Sequence, residues 1–193
     1  MTKQVTIACL AVILLGTSCK SKKERKPEDK NFPILGYLLS EAKAMDSSMH
    51  SIVKTVFYDS THIDTFYIPR QQFREEAKDF LEIPDIFSPK YEDDYTESRR
   101  YDETINKVIM TYTANGENKA GILKQEVIIQ PDQINGDKVT GIFIDTWKST
   151  KDSTVQKRML WMVGKNFQIT KILQLPGQPE KTTITKVAWN DTP

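Results

Sequence analysis

Cysteine is nearly missing from this sequence: the 193 residues contain two, Cys9 and Cys19, both within the first twenty. The rest of the chain has none, which excludes an intradomain disulfide and a cysteine-ligated metal site. The core must therefore rest on packing alone, even in an oxidising compartment. Histidine is as scarce, with His50 and His62 standing 12 positions apart, which is not the spacing of metal ligands on one element. The eight glycines are scattered, mostly at turn positions, and none belongs to a glycine-rich phosphate loop. No apolar run reaches the roughly 20 residues that a membrane-spanning helix needs. Neither sign of charge dominates, with 27 basic against 26 acidic residues. No global field therefore draws the chain to nucleic acid, and its basic residues are not interleaved with aromatics.

The longest apolar stretch lies at the start. Residues 5–16 read Val-Thr-Ile-Ala-Cys-Leu-Ala-Val-Ile-Leu-Leu-Gly, 12 residues in which only Thr6 is polar, after a short region carrying Lys3. This length fits the core of a signal peptide, about 7–15 residues. The run ends in Leu14-Leu15-Gly16-Thr17-Ser18-Cys19, which resembles the lipobox of bacterial lipoproteins. That resemblance covers the first 19 residues. It implies cleavage between Ser18 and Cys19, a thioether from Cys19 to a diacylglycerol, and acylation of the new amino group. Gly16 stands where the family usually has leucine, and small residues at Gly16 and Ser18 also suit ordinary signal peptidase. Either enzyme cuts at the same bond, leaving Cys19 lipidated or as a free thiol. Two or more acyl chains would make the anchor durable, where one binds only marginally.

Residues 20–31 carry six basic and three acidic side chains, and Pro27 is the only apolar one. Nothing in this stretch can offset the entropy of ordering it, so it reads as a solvated tether. Its basic cluster can also attract anionic headgroups. The chain thus divides into a signal peptide (1–18), a lipidated basic tether (19–31) and one domain (32–193). The absence of an acidic run after Cys19 favours a periplasm-facing location, and the outer membrane is expected rather than the inner.

In the domain, Leu35, Leu38, Leu39, Ala42, Met45, Met49, Ile52, Val53 and Val56 follow helical 3/4 spacing, with Asp46-Ser47-Ser48 as a possible break. Residues 55–68 suit either a helix end with a loop or a small hairpin. Pro69 opens a second helix with Phe73, Ala77, Phe80 and Leu81 as its apolar stripe, ending before Ile83-Pro84. Residues 88–104 are polar, with room for one short helical turn. From Asn106 the period changes to two. Six runs follow (108–113, 122–130, 139–147, 155–163, 167–175 and 182–189), separated by turn signals such as Asn115-Gly116 and Asn135-Gly136. In the fourth run Val155, Met159, Trp161 and Val163 oppose Leu160 and Met162. In the fifth, the alternation of Phe167, Ile169, Leu173 and Leu175 is broken at Lys171 and Ile172. The expected fold is α+β: N-terminal helices packed on one face of a curved antiparallel sheet of about six strands. The order of elements is similar to NTF2-like and cystatin-like domains, with a half-barrel resembling the periplasmic lipoprotein chaperones as a second possibility. Element order carries little functional weight.

Candidate chemistry is sparse. His62 stands between Ser60 and Asp64, the residue types of a nucleophilic triad, but sequence neighbours seldom converge that way. Asp46 and His50 are spaced for a local hydrogen bond on a helix. Glu92, Asp93 and Asp94 lack the alternate spacing and the glycine of a calcium loop. Trp147, Trp161 and Trp189 suit core filling, or a ligand cleft for an apolar or sugar ligand. The expectation is a non-enzymatic envelope lipoprotein without a cofactor. It would meet the membrane through its lipid and act as a binding or scaffolding module for a partner protein or another envelope component. The alternatives are a carrier of a lipid or other apolar ligand in the hollow of the sheet, and a hydrolase with a site that the sequence does not mark.

Overall fold

The computed structural model describes residues 31–116 and 119–190. The signal segment, Cys19, and the tether as far as Lys30 lie outside the described residues. Helix α1 (Ile34–Met45) comes first, followed by the hairpin β1 (Ile52–Phe57) and β2 (Ile63–Ile68). A 3-10 turn at Arg70–Gln72 leads into the short helices α2 (Phe73–Glu76) and α3 (Lys78–Leu81). A second 3-10 turn (Glu92–Asp94) precedes β3 (Tyr95–Asp102), β4 (Lys107–Ala114), β5 (Ile122–Gln130), β6 (Lys138–Ser149), β7 (Thr154–Met162), β8 (Asn166–Gln174) and β9 (Lys181–Ala188).

The fold is α+β, as expected, with the helices packed against one large antiparallel sheet. That sheet has nine strands rather than about six, in the order β2-β1-β9-β8-β7-β6-β5-β4-β3. Strands β4 to β9 are the six alternating runs of the sequence. They pair as a meander, and β9 closes onto β1. The three additional strands come from the stretches where alternation was weak. The β1–β2 pair settles residues 55–68 as a hairpin. In its loop the Asp59 carboxylate accepts hydrogen bonds from the backbone N–H of Thr61 and of His62, both at 2.8 Å. This is the local bonding by which aspartate builds turns. Ile52, Val53 and Val56 belong to β1, not to a prolonged helix. Helix α1 stops at Met45, and just beyond it the Ser47 hydroxyl donates back to the Ala44 carbonyl at 3.4 Å. The helical stripe after Pro69 is split at Ala77 into α2 and α3. The polar segment before residue 104 supplies the edge strand β3.

Strand register assigns the two faces. Ile52 of β1, Val187 of β9, Phe167 of β8, Trp161 of β7, Ile142 of β6 and Val127 of β5 all turn toward the helices and are buried. Phe73, Ala77 and Phe80 are completely buried on the helical side. The junction is aromatic. Phe73 meets Trp189 edge-on with ring centroids 5.1 Å apart, Phe80 meets Trp161 at 5.3 Å, and Trp161 stacks on Phe167 at 5.3 Å. Such pairs add about 0.5–1.5 kcal/mol each beyond their buried area. Two ion pairs pin the same helices to the sheet. Lys54 of β1 reaches Glu76 at 2.7 Å, and Lys157 of β7 reaches Asp79. The Arg74–Asp46 pair, 2.7 Å apart, joins α2 to the end of α1.

Candidate functional site

The three tryptophans do not line one cleft. Trp161 and Trp189 are 0% and 7% exposed, inside the aromatic junction with Phe73, Phe80 and Phe167. Trp147 is 45% exposed. It pairs with Gln156 of β7, so its side chain stands on the sheet face opposite Trp161. There it borders a shallow depression of about 270 Å³ with Gln156, Ile172, Gln174 and Glu180, and it is also one of the residues bordering a larger cleft beside α3.

The histidines do not form a site either. His62 Nε2 is 4.0 Å from Asp64 Oδ1, with both side chains largely exposed. Among the described residues no hydrogen bond joins Ser60 to His62. His50 is exposed beyond the end of α1, and the Asp46 carboxylate it was spaced to meet is engaged by Arg74 instead. Glu92, Asp93 and Asp94 form the 3-10 turn before β3. Among the described residues no group of three or more His, Cys, Asp or Glu side chains could hold a metal ion.

A cavity lies at one end of the helical face, where the aromatic packing stops. It is an open cleft of about 660 Å³, a size usual for ligand pockets, about 300–1,000 Å³. One wall comes from α3 and the loop after it: Asp79, Glu82, Ile83 and Pro84. The floor is the ends of β5 to β8, with Ile122, Thr146, Val155 and Met159. Lys119, Lys148, Lys157 and Lys171 also border it. Four ammonium groups thus face two carboxylates, in a domain whose acidic residues otherwise slightly outnumber its basic ones.

Strand register explains how the lysines converge. Across the sheet, Thr146, Lys157, Lys171 and Thr183 form one row on the helical face. The next row outward is Lys148, Val155, Leu173 and Lys181. The Lys157 stem is mostly covered, and its ammonium group is paired with Asp79. Among the described residues Lys148, Lys171 and Lys181 have no carboxylate within ion-pair distance. The carbonyl of Ile122, a floor residue, accepts from the Tyr95 hydroxyl at 2.9 Å, and burial pushes the Tyr95 hydroxyl well above its ordinary pKa. Gly121, at φ +69°, turns the chain into β5, its carbonyl accepting from Trp147 N–H at 2.8 Å.

The lysines carried a signal in the sequence. Lys171 interrupts an apolar stripe in the fifth run, and Lys157 does so between Val155 and Met159 in the fourth. The β7–β8 ladder runs without a bulge through nine pairs, so these are not breaks in the strands but charges placed on the core face. No family model, curated protein or solved structure matches the chain.

Proposed function

We propose that this chain is a non-catalytic envelope lipoprotein that binds a ligand or partner in the cleft between α3 and the lysine-bearing ends of β6 to β8. Its mature form would be held on the membrane through a lipid on Cys19, facing the periplasm. The observation that carries the binding part is the open cleft of about 660 Å³ beside the buried aromatic cluster of Phe73, Phe80, Trp161, Phe167 and Trp189. The short apolar run ending at Cys19 and the basic tether support the anchored, exported location.

A carrier of a wholly apolar ligand fits less well. The middle of the helical face is occupied by Phe73, Phe80, Trp161, Phe167 and Trp189, so such a ligand would have to lie among charges at its end. Burying unpaired ammonium groups under hydrocarbon is costly.

Two measurements test the proposal. Mass spectrometry of the mature protein is expected to find a diacylglyceryl group and an acylated amine on Cys19. An unmodified thiol there would remove the anchor. A photo-crosslinking residue at Val155, on the cleft floor, is expected to capture a molecule from bacterial membranes. The same residue at Thr170, on the opposite face, is not.

A further inference from the structure

The helical face changes chemistry in step on three neighbouring strands. Along β6 the residues facing the helices run Ile142, Ile144, Thr146, Lys148. Along β7 they run Trp161, Met159, Lys157, Val155, and along β8 Phe167, Ile169, Lys171, Leu173. Ile144, Met159 and Ile169 form the last wholly apolar row, and the next row places Lys157 directly opposite Lys171.

Like charges directly across a ladder are destabilising. One of this pair is compensated from the protein itself, since Asp79 of α3 bonds Lys157. Among the described residues Lys171 has no such partner, and neither do Lys148 and Lys181, which flank Val155 and Leu173 in the outer row. Of these uncompensated charges Lys148 and Lys171 border the cleft itself, with Ile122 and Val155 on its floor and Ile83 and Pro84 on its wall.

We infer that the cleft recognises anionic amphiphiles. A phosphate-type head is held by Lys148 and Lys171, and its apolar tail lies against Ile83, Ile122 and Val155. This rests on the cleft being the binding site. Lysine ammonium groups act as point charges for phosphate, with no need for the fixed fork of arginine. The tail contributes by covering apolar surface, which neither a free anion nor a sugar head can do alone. A lipid headgroup and a soluble phosphate ester share this chemistry.

The experiment is calorimetric titration of the full mature protein, held in phosphatidylcholine nanodiscs, with three probes: octyl phosphate, inorganic phosphate and octyl glucoside. Octyl phosphate is expected to bind saturably. Each of the others should bind at least roughly tenfold more weakly, a difference in free energy of about 1.4 kcal/mol. The K148Q/K171Q double variant is expected to lose at least roughly tenfold in octyl phosphate affinity without a lower thermal midpoint. Equal affinity for octyl glucoside, or an affinity that the double variant leaves unchanged, overturns the anionic head. Equal affinity for inorganic phosphate overturns the amphiphile and leaves an anion site. If Val155 crosslinks a membrane molecule while octyl phosphate fails to bind, the ligand class is wrong and the cleft stands. If neither occurs, both fall.

Discussion

Lys157 and Lys171 face each other directly across β7 and β8 on the helical side of the sheet, and only Lys157 has a carboxylate, Asp79, to answer it. A protein selected for stability alone would gain from a neutral residue at position 171. Replacing Lys171 with Gln is therefore expected to raise stability by about 0.2–1 kcal/mol, the scale of one cross-strand pair. Urea unfolding midpoints measure this. The gain should shrink at high salt, where the wild-type repulsion is screened. A loss of stability in K171Q would show that Lys171 is held by an attraction within the fold.

Phe73 is the ring on which the helices and sheet meet, in edge contact with Trp161, Phe167 and Trp189. Truncating it to Ala removes these contacts and leaves a cavity. The expected loss is roughly 3–5 kcal/mol by chemical denaturation. Leu39, which is exposed on α1, should tolerate Ala with a change of no more than about 0.5 kcal/mol.

Gly121 adopts φ +69°, and an added Cβ would sit 3.2 Å from the Trp147 carbonyl oxygen. Both effects act against Ala. G121A is expected to cost roughly 1–2 kcal/mol from backbone conformation alone. Because the Gly121 carbonyl also accepts the Trp147 N–H, the strain should appear as faster amide exchange at Trp147.

Asp132 anchors the β5–β6 turn. Its carboxylate accepts from the Asn135 side chain at 3.0 Å and from the backbone N–H groups of Asn135 and Ile134 at 2.9 and 3.0 Å. These bonds pull its pKa down to about 2, below the usual aspartate value of about 3.9. A depressed carboxyl stabilises the fold above its unfolded pKa, and that contribution is lost as pH falls through about 2. The expected result is that D132A is less stable than wild type at pH 6. The gap should narrow between about pH 4 and pH 2, as unfolding midpoints across that range would report. A gap that widens on acidification would contradict the assignment.

What was legible in the sequence follows from which signals were unambiguous. Strands β4 to β9 announced themselves because half-buried strands alternate, and because Asn-Gly, Gly-Lys-Asn and Pro-Gly turns separate them. Strand β3 did not, since it is an edge strand whose residues, Thr-Glu-Ser-Arg-Arg among them, are polar on both faces. Strand β1 was hidden by its neighbours. Ile52, Val53 and Val56 satisfy a helical spacing that continues from α1, and only the tertiary pairing with β2 and β9 decides between the two periods. The tryptophans illustrate the opposite limit. Residue type alone could not distinguish the buried Trp161 from the half-exposed Trp147, because sheet parity separates them. The cleft was visible only as two lysines interrupting apolar stripes. That they stand side by side depends on the register between β7 and β8, which composition does not encode.

The most direct test of binding through the cleft is the crosslinking yield at Val155 against Thr170 in the membrane-anchored protein. Val155 faces the helical side and Thr170 the opposite one. A specific adduct is expected at Val155 that disappears in K148Q/K171Q, with none at Thr170. An adduct confined to Thr170, or one at Val155 indifferent to the lysines, would contradict it.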